Sequence, residues 1–311
     1  MNCRRRFRPF RTFVFALLLS ALLGGWSLQL PAARAKTSRR STSRPAATPA
    51  APPQPEIPFT YLPGAPEPPH NLARSAIVVE IRTGRVLYEK NADERRPVAS
   101  TTKLLTALII AEAGGLDQPV QFEVIDTLCE PTKLGAKPGE TYTRRQLLQA
   151  LLVHSCNDVA RALARDNAGD LDNFAARMNS RSASLGAVNS VWSSPNGLPT
   201  PGQLQFSTAR DLVRIARVSY YNSVLRPIMR TPRLVWQYND GHVSEFENTN
   251  KVLRRFPLCT GMKTGYTNAA GHCLVSSASN DTRDVIAVCL GDNKSIWTDS
   301  QGLLEWALSL P

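Results

Sequence analysis

The chain has 311 residues, 42% of them hydrophobic, and 37 Lys and Arg against 25 Asp and Glu give a formal charge of +12. The excess sits at the front: residues 1–35 hold six Arg and no acid, 36–70 hold four basic and two acidic residues, and the remainder carries only +4. So small an excess excludes the electrostatic footprint of a nucleic-acid binder and leaves, at most, loose attraction to an anionic surface.

Residues 1–35 show the three parts of an export signal: basic Arg4, Arg5, Arg6, Arg8 and Arg11, an apolar run over 13–23, and the small residues of Ala33-Arg34-Ala35 where an export peptidase reads. The apolar run is shorter than the about 20 residues of a membrane span. A cleaved signal peptide is therefore expected, with an uncleaved N-terminal anchor as the alternative. Residues 36–70 contain ten prolines and few large apolar groups. Such a stretch cannot bury enough surface to fold and is predicted to be a disordered Pro/Ala-rich linker. The folded domain is expected over 71–311.

Within it, 75–80 and 85–88 flank a turn at Arg82-Thr83-Gly84 and read as a β-hairpin. An apolar helical run over 104–113 stops at Gly114-Gly115. Residues 120–143 are turn-rich and strand-like. Helices are predicted over 146–153, 159–167, 171–185 and 208–218. Three short β-rich runs follow at 258–264, 273–277 and 285–290, and 296–308 reads as a closing helix. Strands at both ends with helices between predict an α/β domain whose sheet is built from both chain termini.

Five cysteines lie beyond the leader, and neither they nor the four histidines have metal-site spacing. A hairpin turning near Asn280-Asp281 would bring Cys273 opposite Cys289. Either a bridge or two buried free thiols would fit, and the free thiols are the expectation.

Three short motifs carry chemistry. In Ser100-Thr101-Thr102-Lys103 a helical start puts the lysine at i+3 on the face of the serine. A serine hydroxyl becomes a nucleophile only when a base takes its proton, and lysine serves when burial or a second cation depresses its pKa. Alone the motif is weak, since a Ser cap followed by a surface Lys is common. Ser155-Cys156-Asn157, between two helices, offers a hydroxyl and an amide; ordinary loop chemistry is the bland reading. A rival Ser194-Pro195-Asn196 precedes Gly197-Leu198-Pro199 and reads as turn scaffolding. Lys263-Thr264-Gly265 ends a β run, where a strand edge can pair with a peptide and a lysine and hydroxyl can meet a carboxylate. Together, 55 and 108 residues apart, the three match the S-x-x-K, S-x-N and K-T-G signature of penicillin-binding proteins and class A β-lactamases.

From about residue 73 onward the chain resembles the D-alanyl-D-alanine carboxypeptidase/endopeptidase family of low-molecular-mass penicillin-binding proteins. The resemblance extends through 92–100, 151–158, 195–199, 207–211, 261–267 and 270–274. It implies a β-lactamase/D,D-peptidase-like α/β fold and an acyl-enzyme mechanism without metal or organic cofactor. Ser100 would be the nucleophile, Lys103 the general base and Ser155 the proton relay. Asn157, Lys263, Thr264, Gly265 and Thr267 would bind substrate, and the N–H groups of Ser100 and Tyr266 would form the oxyanion hole. The implied partners are peptidoglycan stem peptides and, as acylating inhibitors, β-lactams. The implied place is outside the cytoplasmic membrane. Cys156 departs from the small Gly or Ala usual at its position, and a packed, inert thiol is expected there; His154 is expected to be structural.

Three alternatives bound this reading. A D,D-endopeptidase would cleave a cross-link after D-Ala instead of releasing a terminal residue. A class A-like β-lactamase would need an E-x-x-L-N loop between Ser155 and Lys263, and the segment has none. A non-catalytic wall-binding or β-lactam-sensing module would have no need of nucleophile and base together.

Overall fold

The expected hairpin opens the sheet: β1 (Ser75–Glu80) pairs antiparallel with β2 (Val86–Lys90), and Gly84 takes the left-handed φ of 77° in the turn. The computed structural model describes residues 65–311, so the expected leader and the linker up to residue 64 lie outside the described residues. Residues 65–72 run along the last helix. Trp306 Nε1 donates to Pro66 O at 2.8 Å, and Leu72 N donates to Asp299 Oδ2 at 2.6 Å. Contacts therefore do not stop at the expected boundary of residue 71.

The helical region begins with a 3₁₀ turn, Ala99–Thr102, that leads into α1 (Lys103–Ala113). Leu104 to Ile110 are all buried. That is why the sequence shows an apolar run and not an amphipathic stripe: α1 is covered on every side. It ends at Gly114, φ 71°. The strand-like stretch that follows contains β3 (Pro119–Gln121), a single turn α2 (Val124–Thr127), and β4 (Thr141–Thr143), which pairs with β3. Then come α3 (Arg144–Val153), α4 (Asn157–Ala168), α5 (Leu171–Ser184) and α6 (Ala209–Tyr221). Their starts are readable in the sequence. Thr143 and Gln146 form a reciprocal capping box on α3, Asp170 Oδ1 accepts from Asn173 N on α5, and Thr208 Oγ1 accepts from Asp211 N on α6.

Residues 222–257 carried no sequence prediction. They form α7 (Leu225–Met229), the hairpin β5 (Arg233–Gln237) and β6 (Val243–Glu247), and α8 (Val252–Arg255). Asp240-Gly241 was the available turn signal, with Gly241 at φ 85°. The flanking runs are half-exposed and five residues each, too short to be distinct by period alone.

The chain then returns to the sheet with β7 (Cys259–Thr267), β8 (Gly271–Ser279) and β9 (Asp284–Asp292), each longer than its apolar run. β9 pairs with β1, giving the five-stranded antiparallel order β2-β1-β9-β8-β7. The sheet is thus built from both ends of the domain, as predicted. Its two faces feed separate cores. Ile77, Val79, Val275, Ile286 and Val288 face the helical region, while Ala76, Val78, Leu274, Ala287 and Cys289 face α9 (Ile296–Ser309) through Leu303, Leu304 and Ala307. Both faces being covered explains why these strands are nearly uninterrupted apolar runs.

The two-face split also decides the cysteines. The β8–β9 loop has four residues, 280–283, so Ser279 pairs with Asp284, Cys273 with Leu290 and Leu274 with Cys289. Cys273 lies one step out of register from Cys289 and on the opposite face, and all five described cysteines are free thiols. A thiol reagent added in denaturant without reductant should find five free thiols between residues 65 and 311. A count of three would show a bridge and a different β8–β9 register.

Candidate active site

The nucleophile turn is shaped by its backbone. Ala99 is held at φ 47°, and the 3₁₀ turn that follows stacks residues three apart more directly than an α-helix would. Ser100 and Lys103 are such a pair. Lys103 Nζ lies 2.7 Å from Ser100 Oγ, 2.7 Å from Asn157 Oδ1 and 2.8 Å from Asn196 O. The amine is fully buried. Burial first, and the nearby Lys263 second, hold its pKa well below the ordinary lysine range, which favours the neutral amine. Two N–H bonds to Asn157 Oδ1 and Asn196 O then leave the lone pair for the hydroxyl of Ser100. This arrangement can draw a proton from Ser100.

Asn196 belongs to the motif read as turn scaffolding. Its side chain fits that reading, accepting from Leu198 N at 3.0 Å, but its backbone carbonyl is part of the site. The loop is tied to α1 by Thr106 Oγ1, which donates to Pro195 O at 2.7 Å. Gly197 allows the close approach: at φ 83°, an added Cβ would stand 2.0 Å from Ala99 O.

The second motif joins α3 to α4. Ser155 takes φ 69° and makes the turn, Cys156 is the N-cap, and Asn157 starts α4. Asn157 is a clamp as well as a ligand to Lys103. Its backbone N–H donates to Thr132 O at 2.7 Å and its Nδ2 to Glu130 O at 3.0 Å. The Asp158 carboxylate accepts from Leu134 N and Gly135 N, both at 2.9 Å, so the motif also fixes the 130–135 loop. Cys156 is buried and its thiol is pushed well up, by burial first and by Asp158 second. Both effects disfavour the thiolate, the form in which a cysteine reacts. His154 stacks on Phe246 at 4.2 Å, and burial, then Lys263, lowers its pKa.

The third motif lies on β7, the sheet edge facing the helices. Met262, at φ 101°, precedes Lys263. Three of the four non-glycine residues with left-handed backbone among the described residues thus touch the three motifs, and such positions cluster where geometry is enforced for function. Lys263 is fully buried, donates to Thr264 O at 3.0 Å, and is brought down by burial to about 7. At Gly265 a Cβ would sit 2.8 Å from Ser100 N, so only glycine lets β7 pass this close to the nucleophile turn.

A cavity of about 350 Å³ opens among these elements. Ser100, Ser155, Asn157, Thr264, Gly265 and Tyr266 all line it, so the structure brings the expected residues together. Thr267 does not join them: it is absent from the cavity wall, and its hydroxyl accepts from Ala270 N at 3.1 Å, holding the β7–β8 turn. Residues the sequence reading missed complete the wall: Thr132, Leu198, Thr249, His272, Ile296 and Trp297. Leu198 and His272 fall in stretches of the resemblance without having been given a role; the others come from segments that belong to no short motif. No aspartate or glutamate lines the cavity. Among the described residues, no group of three His, Cys, Asp or Glu comes together as metal ligands would.

A hydroxyl set against a buried amine whose pKa burial lowers, beside a strand edge that can pair with a peptide, is an arrangement suited to serine acyl transfer. The family model for D-alanyl-D-alanine carboxypeptidases matches residues 63–294, and the chain belongs to this family. The carboxypeptidase DacB2 of Mycobacterium tuberculosis is 37% identical over 247 residues, 78% of this chain and 84% of the relative. A D-alanyl-D-alanine endopeptidase of Pseudomonas aeruginosa is 32% identical over 220 residues, 70% of each. The crystal structure of a D-alanyl-D-alanine carboxypeptidase from Mycobacterium tuberculosis superposes with a TM-score of 0.76 at 34% identity, covering 80% of this chain and 95% of that one.

Gly197→Ala should lower unfolding stability by about 3 kcal/mol, because its Cβ would meet backbone that has no room to move. Denaturant unfolding measures this; a loss within ~0.5 kcal/mol, the range of an ordinary surface change, would show that the loop does not press on the nucleophile turn.

Proposed function

We propose that this protein is an exported serine D,D-carboxypeptidase that removes the terminal D-Ala from peptidoglycan stem peptides. The observation that carries the reading is the 2.7 Å contact between Ser100 Oγ and the buried Lys103 amine. Ser100 Oγ attacks the carbonyl carbon of the penultimate D-Ala while its proton passes to Lys103 Nζ. The N–H groups of Ser100 and Tyr266 hold the resulting oxyanion. As the C–N bond breaks, Ser155 gives its proton to the leaving amine and is reprotonated from Lys103, so that Lys103 is neutral again, and free D-Ala departs. Asn157 orients the acyl side, Thr264 and Gly265 align the substrate along β7, and Lys263 adds positive potential. Water then cleaves the ester and returns the proton to Ser100.

β-Lactams mimic this substrate and acylate the same serine. The cavity wall carries no carboxylate to drive a class A-like deacylation, which supports slow release of the drug. Endopeptidase action uses the same bond and the same serine, and relatives of both names are similar to this chain. Export rests on the leader at residues 1–35, and action outside the cytoplasmic membrane follows from it.

Benzylpenicillin should give a lasting mass adduct that Ser100→Ala abolishes; an adduct lost within seconds with hydrolysis of the drug would indicate a β-lactamase. A stem pentapeptide and a cross-linked dimer, offered in parallel, separate the two peptidase activities.

The two lysines set the pH response. Lys263 depresses Lys103, and acylation needs Lys103 neutral, so the rate rises with pH through the pKa of Lys103. Removing the second cation raises that pKa. In Lys263→Met the acid limb of the benzylpenicillin acylation rate should therefore move to higher pH. An unmoved limb would show that Lys103 is not the titrating base.

A further inference from the structure

Lys263 owes its place to a strand that breaks register just before it. On β7, Cys259 pairs with Ala278 and Gly261 with Ser277, so Thr260 is the extra residue of a β-bulge. Beyond the bulge, Lys263 pairs with Val275, which packs in the helix-facing core, and Thr264 with Leu274, which faces α9. Side chains alternate across a strand, so a slip of one residue would turn Lys263 toward α9 and away from Lys103. The bulge therefore decides on which face the second cation lies.

The backbone there needs a partner to hold it. Gly261 and Met262 stand at φ 99° and 101°, two successive residues in the left-handed half of backbone space. The side chain that meets this bend is Asn250, fully buried in the segment between β6 and α8. Its Nδ2 donates to Gly261 O at 3.1 Å and to Ser276 Oγ, on the adjoining β8, at 3.2 Å. Its Oδ1 accepts from Val252 N at 3.0 Å. One amide thus spans the bulged strand and its neighbour, with both donors and the acceptor engaged. Asn250 is held in turn by Asn248, whose Oδ1 accepts from Asn250 N at 2.9 Å and whose Nδ2 donates to Thr231 O at 2.9 Å. Asn250 is not part of the cavity wall.

We propose that Asn250 is a positioning residue for the acyl-transfer chemistry: by gripping the Gly261 carbonyl it fixes the bulge that directs Lys263 toward Lys103. The inference rests on the serine acyl-transfer reading, in which Lys103 must be neutral to take the proton of Ser100. The titratable groups that face Lys103 are Lys263, Cys156, Cys129 and Asp158, and His154 faces Lys263. Of these, Lys263 alone lies on the strand that Asn250 grips. Loosening the bulge withdraws a like charge from Lys103 and raises its pKa. An asparagine that only stabilised the fold would change the amount of active protein and leave the pH at which it acylates where it was.

The test is the pH dependence of the benzylpenicillin acylation rate, followed by intact mass in the whole protein. Asn250→Ala should move the acid limb to higher pH, the direction expected of Lys263→Met. Acylation should slow about tenfold more at the foot of the limb than on its plateau. The midpoint of the limb does not depend on how much of the protein folds. In a Lys263→Met background, adding Asn250→Ala should move the limb no further, because the charge it positions is gone. If Asn250→Ala yields no soluble protein, Asn250→Ser, which keeps a small polar group at the site, is read in the same way. A rate lowered equally at every pH overturns the proposal, and so does a shift that persists undiminished in the Lys263→Met background. A wild-type protein whose Ser100 never acylates removes the acyl-transfer reading itself, and the positioning role with it.

Discussion

The burial of one amine organises this molecule. Lys103 cannot be sealed from water unless its amine finds hydrogen-bond partners, and these come from three places: Ser100 on its own turn, Asn157 at the start of α4, and the carbonyl of Asn196 in a loop between α5 and α6. The two distant segments are pinned in turn, Asn157 by the carbonyls of residues 130 and 132, and the Asn196 loop by Thr106 on α1. The requirement that the lysine be satisfied thus fixes where the helices, the 130–135 loop and the 195–199 loop stand. The same burial lowers its proton affinity, so the structural constraint and the chemistry are one fact seen twice.

The second lysine works by proximity without contact. Lys263 comes from the opposite end of the domain on β7, and it acts on Lys103 through charge alone. For that strand to reach the nucleophile turn, Gly265 must lack a side chain. The left-handed residues Ala99, Ser155 and Met262 bend each motif into place at a conformational cost of about 1–3 kcal/mol apiece. The surrounding cores on both sheet faces supply the stability that keeps these positions from relaxing.

Membership of the D-alanyl-D-alanine carboxypeptidase family accounts for the motifs, and other residues shape the space around them. Tyr266 follows the glycine of the third motif, and its ring lies 4.6 Å from His272 on the adjoining strand. Cys156 occupies the middle of the second motif as a buried thiol whose pKa burial raises. Trp297 gives one wall of the cavity an aromatic face. These residues surround the reacting atoms without supplying them, which is where selectivity among similar peptides is expected to lie.

Local chemistry was legible in the sequence by itself. The three-residue step from Ser100 to Lys103, the capped helices, the hairpin at residue 75 and the apolar runs of the sheet all depend on neighbours within a few positions, so period and turn residues reveal them. The order and type of the motifs were enough to name the family. Tertiary structure alone decided the rest. The Asn196 carbonyl carries no side-chain signature, and Thr267 was drawn into its own turn. A four-residue loop set the β8–β9 register that puts Cys273 and Cys289 on opposite faces. Lys251 and Trp297 are 46 positions apart and meet only because α8 and α9 pack together. Such contacts are fixed by packing across the fold, and no pattern along the chain records them.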